Sequence, residues 1–304
     1  MKKLLITILS VSLLLPISAK AADTTPPTVA ILDTAINTSL PIFKDKIVYE
    51  ACVLEWNSCP NGKNFMEGPG SAVMQAPYIN NNGFDHGTQM ASASVLANPN
   101  IKIVFVRIVG STIGGVRQTV SEAGIVSAMN WVIANKDKFN IQAVAMSQGN
   151  PYYNPGTNYC PVLAKVGAAI KSLTAVNLPL FVPAGNESNY TRINWPACVP
   201  ETVSIGSIDA SNGMALYSNY DSTLLDFVAM GTMKLTSPNG TISNQVGTSI
   251  AAQVAASQYI AIKTAKPSLN STQILDLISR TSTVARSSKH GSSKLINLQG
   301  AING

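Results

Sequence analysis

Histidine and charged side chains are scarce in this sequence. Only two histidines, His86 and His290, occur among 304 residues, and charged residues make up 12% of the chain. A zinc site is disfavoured, because its usual ligands include histidine and no C-x-x-C spacing is present. The low charged fraction and the abundance of small residues favour a compact extracellular chain over a disordered one.

A basic stripe is also missing. The formal net charge is +6, but Lys2, Lys3 and Lys20 all lie near the N-terminus and the remaining lysines are scattered. Proteins that bind nucleic acid usually show a clustered basic surface or a recognisable module. Neither is visible, so we expect no nucleic-acid partner.

Long apolar runs are absent beyond the N-terminal region. Residues 4–17 form a largely apolar run between a basic start, Met1-Lys2-Lys3, and the small residues of Ala19-Lys20-Ala21. This pattern is typical of a secretory signal peptide spanning residues 1–21 and is too short for a membrane anchor. An uncleaved anchor is the alternative. We therefore expect residues 22–304 to form one domain, secreted or periplasmic, that does not enter a membrane.

The four cysteines are Cys52, Cys59, Cys160 and Cys198. An even number behind a signal peptide predicts disulfides. Cys52 and Cys59 are close enough to clip one loop, which would leave Cys160 with Cys198. Three pairings are formally possible, and the sequence does not choose among them.

Short apolar runs bounded by turn residues predict buried strands at 29–32, 101–109, 141–146, 178–182 and 202–208. Helical spacing of apolar residues predicts helices at 89–97, 121–134, 160–176 and 250–265, with a last one from Ser271. Strands alternating with helices indicate an α/β fold, a mostly parallel sheet flanked by helices. Residues 37–85 are expected to form a long irregular segment, and the polar tail from Thr281 carries no predicted element.

Three residues of the types that hydrolases use in catalysis lie at predicted strand ends or helix starts. Asp33 ends the first strand, His86 begins a helix in Asp85-His86-Gly87-Thr88, and Ser249 begins another in Gly247-Thr248-Ser249. A serine hydroxyl needs a base to become a nucleophile, imidazole is a suitable base, and a buried carboxylate can orient the ring. His290 lies in the polar tail, which makes His86 the candidate base.

In that order, Asp-Thr, His-Gly-Thr and Gly-Thr-Ser-x-Ala-Ala resemble the three active-site signatures of the subtilases. Pro183-Ala184-Gly185-Asn186 is similar to the segment that carries the oxyanion-hole asparagine of this family. The resemblance implies a three-layer subtilisin-like fold. It also implies that Asp33 orients the ring of His86, that His86 is the acid and base, that Ser249 is the nucleophile and that Asn186 donates to the oxyanion.

The resemblance extends to substrate binding. Ser147-Gln148-Gly149 resembles the strand that lines the pocket for the residue before the cut, and Gly114-Gly115 resembles the edge against which substrate pairs as an extra strand. In this frame, a bridge from Cys160 to Cys198 would brace the pocket or serve stability alone. Structural calcium is common in the family, but no ligand run supports it here, and no cofactor is assigned.

Several positions depart from the family pattern. Ala35 stands where glycine is usual, which would strain the backbone if φ there were positive. Ile250 replaces a methionine, and Gln253 replaces a proline, a change we expect to be harmless. The first strand begins soon after Ala21, which leaves no room for a folding pro-domain. The chain is then expected to fold unaided or with a separate partner or inhibitor.

These residues predict a secreted serine endopeptidase acting on protein or peptide substrates. The alternative is a catalytically impaired subtilase-like module that binds a peptide or partner. An α/β-hydrolase esterase is excluded, because that class needs G-x-S-x-G and the order serine, acid, histidine. Ser249 is followed by Ala251 at the second glycine position, and the order here is Asp, His, Ser.

Overall fold

The computed structural model describes residues 26–55, 59–73, 84–111, 118–150, 160, 163–289 and 291–304. The predicted signal peptide, Gly114, Gly115 and His290 lie outside these residues. Within the described ranges, no helix has the length and apolarity needed to cross a membrane.

Strands and helices alternate along most of the chain. The strands are β1 (Thr28–Asp33), β2 (Ile47–Val53), β3 (Phe65–Glu67), β4 (Lys102–Arg107), β5 (Gly110–Ser111), β6 (Gln118–Thr119), β7 (Ile141–Met146), β8 (Leu180–Pro183), β9 (Val203–Ile208), β10 (Phe227–Met230), β11 (Thr232–Thr236), β12 (Ile242–Val246), β13 (Thr283–Ser287) and β14 (Gly291–Leu295). The helices are α1 (Asp85–Ala97), α2 (Glu122–Asn135), α3 (Ala164–Ala175), α4 (Thr248–Ala265), α5 (Ser271–Thr281) and α6 (Leu298–Asn303). A short 3-10 turn covers Pro41–Phe43.

A ten-stranded sheet forms the middle layer, in the order β13-β14-β10-β9-β8-β7-β1-β4-β2-β3. All neighbouring strands run parallel except the two outermost pairs, β13 with β14 and β2 with β3. The predicted mostly parallel α/β sheet is therefore confirmed. Two small antiparallel pairs, β5 with β6 and β11 with β12, lie outside it.

Residues of β1 are buried on both faces of the sheet. Val29 and Ile31 pack with α1 and α4 on one side, while Ala30 and Leu32 pack with α2 and α3 on the other. This alternation follows from the two-residue period of a strand. It explains the unbroken apolar run in the sequence, since a strand covered on both faces has no polar side. The result is the predicted three-layer fold.

Helix α4 crosses the centre of one helical layer. It packs against β7, β8, β9, β10 and α1, and most of its residues are buried. An alanine-rich helix with apolar residues on most of its circumference is expected in such a buried position. The helix begins after Gly247 and ends at Ala265. Pro267, two residues further on, cannot continue a helix and so favours this end.

The segment 37–85 is more regular than predicted. β2 joins the main sheet beside β4, and β3 pairs with β2 as an antiparallel edge strand. The strand was missed because Glu50 interrupts the apolar run. Its side chain is nevertheless buried, since its carboxylate accepts hydrogen bonds from the backbone N–H groups of Gly70 and Ala72.

Both expected disulfides form. Cys52 bonds to Cys59 at the edge of the sheet, and Cys160 bonds to Cys198, which is 38 residues further along the chain. The structure thus selects one of the three pairings that the sequence left open.

Candidate active site

A polar cleft of about 770 Å³ opens at the carboxyl edge of the sheet. Parallel α/β sheets commonly bind ligands at this edge. Most of the predicted site residues line the cleft: His86, Ser147, Gln148, Gly149, Asn186 and Ser249. Asp33 lies buried behind His86, at the end of β1.

Asp33 and His86 form a close pair. His86 Nδ1 lies 2.7 Å from Asp33 Oδ1; the Asp33 side chain is fully buried and that of His86 is 32% exposed. Burial alone would lower the pKa of His86, but the charge of Asp33 and the hydrogen bond to it outweigh this effect. The net result is a pKa raised above the ordinary 6.5. The pair orients the ring and favours its protonated form.

The threonines of the two motifs hold this pair together. The Thr34 hydroxyl accepts a hydrogen bond from the Gly87 N–H at 2.8 Å and donates to the Phe84 carbonyl at 3.2 Å. The Thr88 hydroxyl accepts from the Asn37 N–H at 3.1 Å. Thr34 thus bonds to the backbone at the start of α1, and Thr88 bonds to the backbone of the segment that follows β1, so the end of β1 and the start of α1 are held together.

Gly87 is needed for this docking. A Cβ at this position would lie 2.4 Å from the Ala35 carbonyl oxygen, which no side chain tolerates. Ala35 itself is absent from the non-glycine residues with positive φ. The strain that its replacement of glycine could have produced is therefore not present, and the backbone beside Asp33 is relaxed.

Ser249 is the second residue of α4 and faces the same cleft as His86. Its carbonyl oxygen accepts a hydrogen bond from the Ser147 hydroxyl at 3.0 Å. Among the described contacts, none joins the Ser249 hydroxyl to the imidazole of His86. In free enzymes, such bonds are often long and tighten only when substrate is bound.

Asn186 follows β8 at the rim of the cleft. Its Oδ1 accepts hydrogen bonds from the Thr248 N–H and the Thr248 hydroxyl, both at 2.9 Å. With the oxygen side of the amide held in this way, the Nδ2 side is the one available as a donor. Gly185 supports the bend with a φ of +109°, and a Cβ there would collide with the side chains of Asn194 and Asn219.

Ser147, Gln148 and Gly149 follow β7 directly. The Gln148 Nε2 donates to Asp33 Oδ1 at 3.2 Å, a contact that the sequence did not predict. Gly149 lies against the backbone of Trp195, since a Cβ would come within 2.7 Å of its carbonyl oxygen. All three residues line the cleft, and Gln148 also contacts the carboxylate behind His86.

Sequence reasoning also missed Gln253. Its side chain is completely buried and hydrogen-bonds to Ser147 and Ser94. It lies in the second turn of α4, because the helix begins at Thr248. The one available signal was an amide between the apolar residues Ala252 and Val254.

Charges around the cleft are few. Asp85 and Glu187 line it, and partial burial raises the pKa of Asp85. Across the part of the chain that the structure describes, no group of three or more histidines, cysteines or carboxylates could hold a metal ion.

The parallel sheet, the buried Asp33–His86 pair and a serine at a buried helix start together define a protein with the layout of a subtilisin-like peptidase domain. Residues 25–301 match the subtilase family, and the chain belongs to that family.

Subtilisin NAT from Bacillus subtilis subsp. natto is similar, with 27% identity over 232 residues that make up 72% of this chain and 56% of that protein. The chain thus spans little more than half the length of this relative. A protease from Pseudoalteromonas arctica has a similar structure, with a TM-score of 0.70, 21% identity, and coverage of 91% of this chain and 89% of that one. A cold-adapted subtilisin-like serine proteinase is also similar, with a TM-score of 0.66, 20% identity, and coverage of 88% of this chain and 87% of that one. The structural likenesses support the fold.

Proposed function

We propose that this chain is a serine endopeptidase that uses Asp33, His86 and Ser249 to hydrolyse peptide bonds. The observation that carries the proposal is the 2.7 Å pair of His86 and buried Asp33, set in one cleft with Ser249. Membership of the subtilase family supports the same reaction.

The reaction follows from the chemistry of these groups. His86 takes the proton of the Ser249 hydroxyl as Oγ forms a bond to the substrate carbonyl carbon. The protonated ring then gives that proton to the leaving amine, and the C–N bond breaks to leave an acyl-enzyme. Water, deprotonated by His86, then attacks the acyl carbon; the protonated ring returns its proton to Ser249 Oγ as the ester C–O bond breaks, which releases the acid and restores Ser249. Asp33 stabilises the charged imidazole in each half.

Asn186 is proposed to donate to the oxyanion that develops on the substrate oxygen. Its amide is oriented before substrate arrives, because Thr248 holds its Oδ1 from the adjacent helix start. Preorganised donors are effective because they need no rearrangement in the transition state. The start of α4 adds backbone N–H groups of the same polarity.

The substrate is proposed to be a protein or peptide. Ser147, Gln148 and Gly149 line the cleft and are candidates to bind the residue before the cut. Gly114 and Gly115, which would pair with the substrate backbone, lie outside the described residues. The two disulfides support a secreted or periplasmic location, because such bonds persist in oxidising compartments.

A fluorophosphonate probe tests the proposal. We expect the folded protein to be labelled on Ser249 and to cleave a denatured protein substrate. Ser249→Ala should lose both, and His86→Ala should lose labelling because the hydroxyl is no longer activated. Labelled peptides identified by mass spectrometry give the site.

A matched control is Ser257→Ala, which lies in the same helix but is fully buried and is not among the residues that line the cleft. It should be labelled at the wild-type rate. A folded wild-type protein that neither reacts nor cleaves would contradict the proposal and favour a peptide-binding module that has lost catalysis.

A further inference from the structure

A chain of hydrogen bonds runs beneath the cleft from α1 to the backbone of Ser249. The Ser94 hydroxyl donates to Gln253 Oε1, Gln253 Nε2 donates to the Ser147 hydroxyl, and that hydroxyl donates to the Ser249 carbonyl, each at 3.0 Å. Ser94 and Gln253 are completely buried, and Ser147 is 5% exposed. No water is needed to complete the chain.

The direction of each bond is fixed by the next one. The single proton of Ser147 is used on the Ser249 carbonyl, so the oxygen of Ser147 must accept, and only the nitrogen side of the Gln253 amide can donate to it. The oxygen side of the amide must then accept from Ser94. Donors that point the same way along such a chain strengthen one another.

The position of Gln253 in α4 explains its reach. It lies four residues after Ser249, hence on the same face one turn further on. Long side chains of a helix point back toward its N-terminus, which brings the amide beneath Ser249. The bonded Ser94 belongs to α1, the helix that carries His86 as its second residue. The amide therefore joins the two helices whose first turns carry the proposed base and nucleophile.

We propose that Gln253 is a positioning residue for catalysis. Through Ser147 it holds the backbone of Ser249, and through Ser94 it fixes the spacing between α4 and α1, so that Ser249 and His86 stay in reach of each other. This inference rests on the proposed function. It gives a role to a side chain at a position where the family resemblance leads one to expect a proline.

Gln253→Met tests the proposal, because methionine keeps the length of the side chain but has no amide. Assayed well below its unfolding temperature, this variant should show kcat lowered by roughly 10- to 100-fold with little change in KM, since small displacements of reacting groups are costly in rate. The rate of labelling of Ser249 by the fluorophosphonate should fall by a similar factor.

A double-mutant cycle separates positioning from general loss of stability. Ser147→Ala removes the link between Gln253 and Ser249, so Gln253→Met should slow that variant much less than it slows the wild type. Equal and additive effects on kcat would overturn the proposal. Should Gln253→Met fail to fold, Ser94→Ala breaks the far end of the chain, and it should lower kcat less beside Ser147→Ala than in the wild type.

Ser257→Ala is the control within α4, since its buried hydroxyl has no hydrogen-bond partner in the described residues. An active wild type together with an unchanged kcat in Gln253→Met would overturn this inference alone. An inactive, unlabelled wild type would overturn the proposed function and this inference with it.

Discussion

Three donors converge on one oxygen of Asp33. Oδ1 accepts from the Thr34 N–H at 2.7 Å, from His86 at 2.7 Å and from Gln148 at 3.2 Å. Oδ2 is buried and has no partner among the described residues. The three donors thus compete for the same carboxylate oxygen. Adding or removing one of them changes how strongly the carboxylate attracts the protonated ring of His86.

Gln148→Met removes one of these donors without removing bulk from the cleft. The protonated imidazole should become more stable, because its carboxylate partner has lost a competing donor. In the proposed mechanism His86 cannot act as the base while it is protonated, so the acidic limb of the pH profile of kcat/KM marks its pKa. We expect this limb above pH 6.5 in the wild type and at a still higher pH in the variant.

The control is Gln142→Met on β7, the strand that precedes Gln148; the Gln142 amide bonds to the Asn140 side chain away from the cleft. Its pH profile should match that of the wild type. A limb that moves to lower pH in Gln148→Met would contradict the assigned effect.

At the scale of elements, α1 can dock on the end of β1 only because Gly87 has no side chain. Gly87→Ala places a methyl group 2.4 Å from the Ala35 carbonyl oxygen, so the helix must shift. We expect a loss of about 1–3 kcal/mol in the free energy of unfolding and a larger proportional loss of activity, because His86 moves with the helix. Urea denaturation and kcat/KM measure the two effects.

Gly124→Ala in the first turn of α2 is the comparison. Its Cβ would meet the Ser121 hydroxyl at 3.1 Å and no backbone atom closer than 3.6 Å. The gain of about 0.5–1 kcal/mol in helix preference offsets that contact, so stability and activity should change little. Equal losses in both variants would show that the docking argument is wrong.

The elements beside the site were predictable because their composition and their flanking residues indicate the same structure. β1, β7 and α4 are rich in apolar residues and bounded by turn residues, and each was predicted within a few residues. The hairpin of β13 and β14 was missed, because its strands are short, mostly exposed and rich in serine. The two strands are stabilised by the neighbouring edge of the sheet, and their own sequences carry no pattern typical of a strand.

The candidate site divides in the same way. Asp33, His86, Asn186 and Ser249 were predicted from motifs at strand ends and helix starts. Gln148 and Gln253 gained their contacts only from folding, since their partners lie 115 and 106 residues away in sequence. An amide has no periodicity or motif that reveals which distant carboxylate or hydroxyl it will meet.

At the scale of the whole molecule, the two disulfides close loops of very different length. Cys52 and Cys59 are separated by 7 residues, and Cys160 and Cys198 by 38. If each bond acts mainly by restricting the unfolded chain, the short loop contributes about 2.5 kcal/mol and the long one about 4 kcal/mol.

Replacing both cysteines of each pair by serine tests this expectation. The variant without the Cys160–Cys198 bond should unfold at the lower urea concentration, because the longer loop restricts the unfolded chain more. The wild type treated with reductant gives the combined loss. A variant without Cys52–Cys59 that is the less stable of the two would show that contacts of β2 and β3 outweigh loop entropy.

Helix α4 contacts most of the central strands and begins beside the cleft. The reactivity of Ser249 therefore depends on the folded state of the whole domain. A partly unfolded chain that has released this helix carries Ser249 with neither base nor amide donors nearby. If the proposed activity holds, partly folded molecules would not cleave one another, and only native molecules could digest partly folded ones. Labelling of Ser249 would then count native molecules in a refolding mixture.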